Sequence, residues 1–143
     1  MNQKYTELIN EYIIRFGQKI SDATGADIKF ASLDNDGFTS VSRGSATVGI
    51  NVNAETGVIV LISQIMKVPQ KKADECTRLL LELNFSAMSG AAFAIDKKHD
   101  TICIKYQRDI FNLDYDEFED MLHSVATLAD EWDDRLMQMF ADN

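Results

Sequence analysis

The sequence LLLELNFSAMSGAAFAIDKKHDTICIKY, residues 79–106, decides the fold because the spacing of its apolar residues changes from helical to strand-like. Its leucines complete a pattern over 70–84 in which apolar residues recur three and four positions apart, as on one face of a helix. After Gly90 the spacing becomes two, which is typical of a strand with one buried face. The polar residues 97–100 then form a turn into a returning strand over 102–106. The stretch therefore predicts a helix that is followed by an antiparallel hairpin.

Upstream of this stretch, the sequence predicts one helix and three strands. Apolar residues spaced three and four apart predict an N-terminal helix, which Gly25 ends. Alternating apolar and polar residues predict a strand over 48–52 with one buried face. A hairpin loop over 53–57 leads into a strand over 58–62, which is apolar on both faces and therefore suits a central position. A weaker strand is predicted over 38–42.

The C-terminal segment predicts a long amphipathic helix. Asp114 and Glu117 have the spacing of a capping box. Leu113 and Phe118 have the spacing of a hydrophobic staple, and an apolar stripe follows them. The element order is therefore α-β-β-β-α-β-β-α. It predicts an α+β fold, with an antiparallel five-stranded sheet and three helices, in a single domain over 1–143.

Charge and cysteine content narrow the classes of function. The 143 residues include 23 Asp and Glu against 14 Lys and Arg, a net charge of -9. Such a surface repels phosphate backbones and anionic lipid, so neither nucleic acid nor a membrane is an expected partner. Cys76 and Cys103 have no CxxC or zinc spacing, and the first residues do not resemble a signal peptide. These features predict a cytoplasmic protein.

Residues that could carry chemistry do not form a recognised set. His99 and His123 have no convincing metal-ligand or nucleophile partners at suitable spacing. The acidic turn 34–37 resembles the start of a calcium loop, but Arg43 stands where that loop needs a Glu. No glycine-rich phosphate motif is present. We therefore expect no enzyme activity, metal or cofactor, and an enzyme site assembled from scattered residues is a minor alternative.

The second helix carries more apolar residues than one core contact needs. The leucines of the 79–83 segment cover more than one narrow stripe. Ala92 and Ala94 also make one face of the next strand flat enough for close packing. A second buried surface, such as a homodimer interface, accounts for both features.

Several of these segments together resemble the Tir chaperone family of type III secretion chaperones. The similarity covers the leucine-rich segment 79–85, the small-residue strand 90–96, the hairpin as far as Tyr106, and Trp132 in the closing acidic helix. The resemblance implies a homodimer without nucleotide or metal. It also implies that the dimer binds an extended N-proximal segment of a secreted effector, which is thereby kept soluble and export-competent.

The resemblance also implies two sets of site residues. Part of the effector segment would add as a strand to a sheet edge, and its apolar side chains would enter grooves beside the first helix. The dimer interface would include Leu79, Leu80, Leu83, Phe93 and Ile95. The effector-binding grooves would include Tyr5, Ile9, Ile13, Val48, Ile50 and Val52. The alternative is a sensory transduction regulator-like protein, which shares the architecture but has no secretion client.

Overall fold

Three helices and five strands follow one another in the predicted order in the computed structural model, which describes residues 3–86 and 88–142. The strands form one antiparallel sheet in the order β1-β2-β3-β5-β4. The prediction of an α+β fold with this sheet is confirmed. The elements are α1 (Gln3–Thr24), β1 (Phe38–Arg43), β2 (Ala46–Asn53), β3 (Val58–Lys67), α2 (Ala73–Ser86), β4 (Ala92–Asp96), β5 (Thr101–Asp109) and α3 (Tyr115–Phe140).

Two boundaries differ from those that the sequence predicts. Helix α2 begins at Ala73 rather than at residue 70, because Lys72 takes a left-handed conformation with φ 57°. Strand β3 runs five residues past its predicted end at Ile62, as far as Lys67. It has a bulge between Gln64 and Met66, which breaks the alternation that a sequence pattern relies on.

The core lies between the sheet and the two long helices, α1 and α3, which both contact β2. Ala46, Val48, Ile50 and Val52 alternate along β2 and are all buried. Helix α3 contributes eleven buried residues and begins at the predicted capping box of Asp114 and Glu117. Burial of these apolar side chains is the main source of stability in such a layered domain.

The acidic turn before β1 folds by local hydrogen bonds. The carboxylate of Asp34 accepts hydrogen bonds from the backbone N–H groups of Asp36 and Phe38, each at 2.9 Å. Gly37 has φ +80°, and a Cβ at this position would lie only 2.3 Å from the carbonyl oxygen of Val52. Residues 34–37 therefore form a turn that needs glycine at position 37. The carboxylate of Asp34 accepts hydrogen bonds from backbone N–H groups of this turn.

The outer edge of β4 is partly closed by the side-chain amide of Asn84, which lies on α2. Its Oδ1 accepts from Phe93 N at 2.7 Å, and its Nδ2 donates to Phe93 O at 3.1 Å. These two bonds replace those that a neighbouring strand would make. Asn84 therefore fixes α2 beside β4.

The substitution Ile50→Asp tests whether the inner face of β2 is core. Ile50 is fully buried, so a carboxylate there loses its hydration without gaining a partner, at a cost of several kcal/mol. We expect loss of the cooperative urea transition monitored by circular dichroism. The matched control is Asn51→Asp on the exposed face, which should change the free energy of unfolding by less than about 0.5 kcal/mol. If Ile50→Asp unfolded at the same urea concentration as the wild type, the inner face of β2 would not be part of the core.

Replacing Asn84 by Ala tests the closure of the β4 edge. The loss of two hydrogen bonds should lower the free energy of unfolding by about 1–3 kcal/mol and accelerate hydrogen exchange at the Phe93 amide. Ser86→Ala is the control, because the Ser86 hydroxyl bonds only to Glu82 within α2. Equal effects of the two variants in urea titrations would show that the Asn84 bonds do not hold α2 in place.

Candidate functional site

The outward face of α2 carries the most exposed apolar side chains next to β4. Phe85 is 94% exposed and Leu81 is 70% exposed. On β4, Ile95 is 44% exposed, and it lines a small cleft that Leu81 also borders. We call Leu81, Phe85 and Ile95 the α2 patch. Leu81 also borders a shallow hollow with Phe85, so it links the three side chains into one exposed apolar patch, which is typical of interaction surfaces.

The residues that were expected at the dimer interface occupy three different environments. Leu80 and Phe93 are buried within the chain. Leu79 and Leu83 are half-buried against the core, and Ile95 belongs to the α2 patch. The structure therefore brings the predicted set to one region but places only Ile95 openly on its surface. Leu81 and Phe85 were absent from the predicted set, although Leu81 lies off the apolar stripe of α2, which was a signal that it faces outwards.

Five of the six residues expected to line effector grooves lie in the core of the chain. They are at most 4% exposed, because the buried side of α1 carries two of them and α1 and α3 cover the inner face of β2, which carries the other three. An effector segment cannot touch them in this conformation. Tyr5 alone is half-buried, and it packs beside Gly57. The five buried residues are Ile9, Ile13, Val48, Ile50 and Val52.

An accessible groove does exist beside α1, on its outer side. Ile14 is 66% exposed and lines this groove together with Gly17 and Phe30. The Phe30 ring stacks on Phe16 at 5.9 Å between centroids. A Cβ on Gly17 would lie 3.4 Å from Phe30 and from the carbonyl oxygen of Ile28, so the absent side chain leaves room for this segment to approach. We call Ile14, Gly17 and Phe30 the α1 groove.

Strand β1 is the other edge of the sheet, and among the described residues Phe38 alone has partners for its backbone groups at that edge. Asp34 accepts from Phe38 N through its carboxylate and donates its own N–H to Phe38 O. Alternate residues of a strand direct their N–H and C=O groups to the same edge. The backbone groups of Ser40 and Ser42 therefore point outwards along the same edge as those of Phe38.

A polar network holds α1 against α3. Lys19 Nζ lies 2.8 Å from Glu119 Oε1, and the Tyr115 hydroxyl donates to the same carboxylate at 3.0 Å. Burial raises the pKa of the Glu119 carboxyl, but the hydrogen bonds from Lys19 and Tyr115 outweigh it and hold the pKa below its ordinary value. Burial and the bond to Glu119 raise the pKa of Tyr115. The ion pair between Lys19 and Glu119 thereby holds α1 against α3.

The remaining titratable side chains do not assemble into a catalytic or metal site. Within residues 3–86 and 88–142, no group of three His, Cys, Asp or Glu side chains could hold a metal ion. His99 pairs with Asp96 at 2.8 Å on an exposed turn, and His123 Nδ1 accepts from Arg43 at 3.2 Å. Burial raises the pKa of both Cys76 and Cys103, which disfavours their reactive thiolates.

No helix in the described part of the chain is long and apolar enough to cross a membrane.

Three solved complexes contain a chain of similar fold. The ExsC–ExsE complex matches with a TM-score of 0.68 at 18% identity, covering 93% of this chain and 95% of that one. The ExoU–SpcU complex of the type III secretion system of Pseudomonas aeruginosa matches with a TM-score of 0.65 at 14% identity, covering 93% and 98%. The ExoT–SpcS complex of Pseudomonas aeruginosa matches with a TM-score of 0.55 at 14% identity, covering 87% and 96%. At these identities the likeness establishes the fold.

The comparison of sequences gives the family directly. No curated protein was found to match the chain. The CesT_Tir_1 family model, in contrast, matches residues 2–142, which is nearly the whole sequence. This agrees with the resemblance carried by the leucine-rich segment, the small-residue strand and the late Trp132. The chain belongs to the CesT_Tir_1 family.

Proposed function

We propose that this chain is a type III secretion effector chaperone, which acts in the cytoplasm as a homodimer and binds an extended N-proximal segment of a secreted effector. Membership of the CesT_Tir_1 family supports this function, as does the similar fold found in the ExoU–SpcU complex of a type III secretion system. The same comparisons do not favour a sensory transduction regulator-like protein without a client. The function consists of covering an apolar segment, so it needs no catalytic step, metal or cofactor.

The observation that carries the proposal is the open edge of β1 beside the apolar α1 groove. The outward N–H and C=O groups of Ser40 and Ser42 can pair with an added strand. Ile14 on α1 and Phe30 on the segment between α1 and β1 offer apolar surface to its side chains. We assign the client to this edge, with the buried residues Ile9 and Ile13 supporting α1 from below.

The α2 patch supports self-association at the opposite end of the sheet. Burying Leu81, Phe85 and Ile95 against a second copy would remove their apolar surface from water, at about 25 cal/mol per Å². A two-fold axis would place the same patch of each chain against the other. Asn84 holds α2 in position for this contact through its bonds to Phe93.

The net charge of -9 also supports a chaperone role. A strongly negative surface keeps a complex dispersed while it covers an aggregation-prone segment. It also disfavours binding to nucleic acid or to anionic membranes.

Replacing Phe85 by Glu should convert a dimer into a monomer. We expect light scattering during size-exclusion chromatography to give twice the mass of one chain for the wild type and the mass of one chain for Phe85→Glu. The control is Phe111→Glu, because Phe111 is a comparably exposed phenylalanine, 72% against 94%, that lies outside the α2 patch. A dimeric Phe85→Glu variant, or a monomeric wild type at micromolar concentration, would contradict the proposed interface.

Replacing Ser40 by Pro should abolish client binding without unfolding the chain. Proline removes the outward N–H of Ser40 and obstructs an added strand, whereas the bonds between β1 and β2 are made by other residues. The probe is the first hundred or so residues of each protein encoded beside this gene, co-expressed and co-purified with the full chain. Ser40→Ala is the control and should retain any client. Equal recovery with Ser40→Pro would contradict strand addition at β1.

A further inference from the structure

The sheet divides between β2 and β3 at one end. Their pairing ends at Gly49 and Ile62, although β2 begins at Ala46 and β3 continues beyond Ile62. Over this part, β2 stays paired with β1, and β3 stays paired with β5. An opening is therefore left between residues 46–48 and 63–67, and we call it the fork.

One side chain spans the fork where the backbone ladder stops, because Ser63 Oγ donates to the carbonyl oxygen of Thr47 at 2.9 Å. A second bond joins the turn between β1 and β2 to α3, where Ser45 Oγ donates to Asp130 Oδ1 at 2.5 Å. The first bond shows that the carbonyl of Thr47 points towards β3. Because the N–H and C=O of one residue share an edge in an antiparallel strand, the N–H of Thr47 points there too. The fork therefore presents the backbone N–H of Thr47 to a further chain, while Ser63 already bonds the Thr47 carbonyl.

A groove of about 490 Å³ connects the open face of the sheet with the fork and reaches α3. Phe38 and Ile62 form apolar walls on either side of Gly49. A Cβ at Gly49 would lie 3.1 Å from the Phe38 ring and 3.3 Å from Ile62, so the groove passes over bare backbone there. Asp133 on α3 is the only charged residue among the described residues that line it. The groove is thus apolar at one end and negatively charged at the other.

We propose that this groove binds an extended client segment that places an apolar side chain beside Gly49 and a Lys or Arg side chain against Asp133. Charge complementarity determines the choice of occupant, because Asp130 stands three positions before Asp133 on α3 and the chain has a net charge of -9. The groove is also continuous with the β1 edge, since Ser40 lines it. The inference rests on the proposed function and adds to it a preference for segments with a basic residue.

A random heptapeptide display library tests the preference without knowledge of the natural client. The library is selected in parallel on the full-length wild type, on Asp133→Asn and on Asp134→Asn. Asp134 is the matched control, because it neighbours Asp133 on α3, is exposed and does not line the groove. Peptides selected on the wild type should be enriched in Lys or Arg at one position relative to an apolar residue. The enrichment should fall roughly threefold or more on Asp133→Asn and persist on Asp134→Asn.

Amide signals in NMR spectra locate the bound peptide. A peptide selected on the wild type should shift the signals of Thr47, Gly49 and Ser63, and its affinity should fall as salt is raised. Equal loss of basic residues on both Asp variants would show a general charge effect and overturn the inference. Enrichment of apolar residues alone would also overturn it, while leaving the effector chaperone proposal intact. If no residue type is enriched on the wild type, both the groove inference and the effector chaperone proposal would be contradicted.

Discussion

An open antiparallel sheet has two edges whose backbone N–H and C=O groups no neighbouring strand satisfies. In this protein the backbone groups of the two edges have different partners. At β4, the amide of Asn84 takes the place of a strand at Phe93, and an apolar helix lies alongside. At β1, Asp34 satisfies only Phe38, and the outward groups of Ser40 and Ser42 lie beyond that contact. The proposed division between a self-association end and a client end follows from this difference.

The core makes the two ends independent of each other. Ile50 and Leu61 face each other across β2 and β3, are fully buried, and lie under the long helix α3. The ladder between β3 and β5 runs from Val58 to Lys67 and joins the two halves of the sheet. A rigid centre of this kind lets one edge bind a segment without disturbing the other. The short pairing between β2 and β3 leaves the fork as the one place where the described sheet opens.

The sequence predicts the elements well because their signals are local. The capping box of Asp114 and Glu117 requires only two residues three positions apart, and the structure forms both of its hydrogen bonds. The change of spacing after Gly90 likewise needs no knowledge of tertiary contacts. Both predicted features are present in the structure because the local preference of the sequence agrees with the packing of the folded chain.

The candidate site was harder to predict because it depends on what covers each face. Alternation along β2 shows that Val48 and Ile50 share a face, but not that α1 and α3 bury that face. The bonds from Asn84 to Phe93 depend on how α2 docks beside β4, which no local pattern encodes. Leu81 and Phe85 were accessible to prediction, since residues off the core stripe of a helix face outwards.

The unequal use of the two edges can be measured directly by amide hydrogen exchange on the dimer, free and bound to a client. Binding of a client at β1 should slow exchange at Ser40 and Ser42 and leave exchange at Ile95 on β4 unchanged. Slower exchange at Ile95, with Ser40 and Ser42 unaffected, would place the client at the other edge and contradict the account.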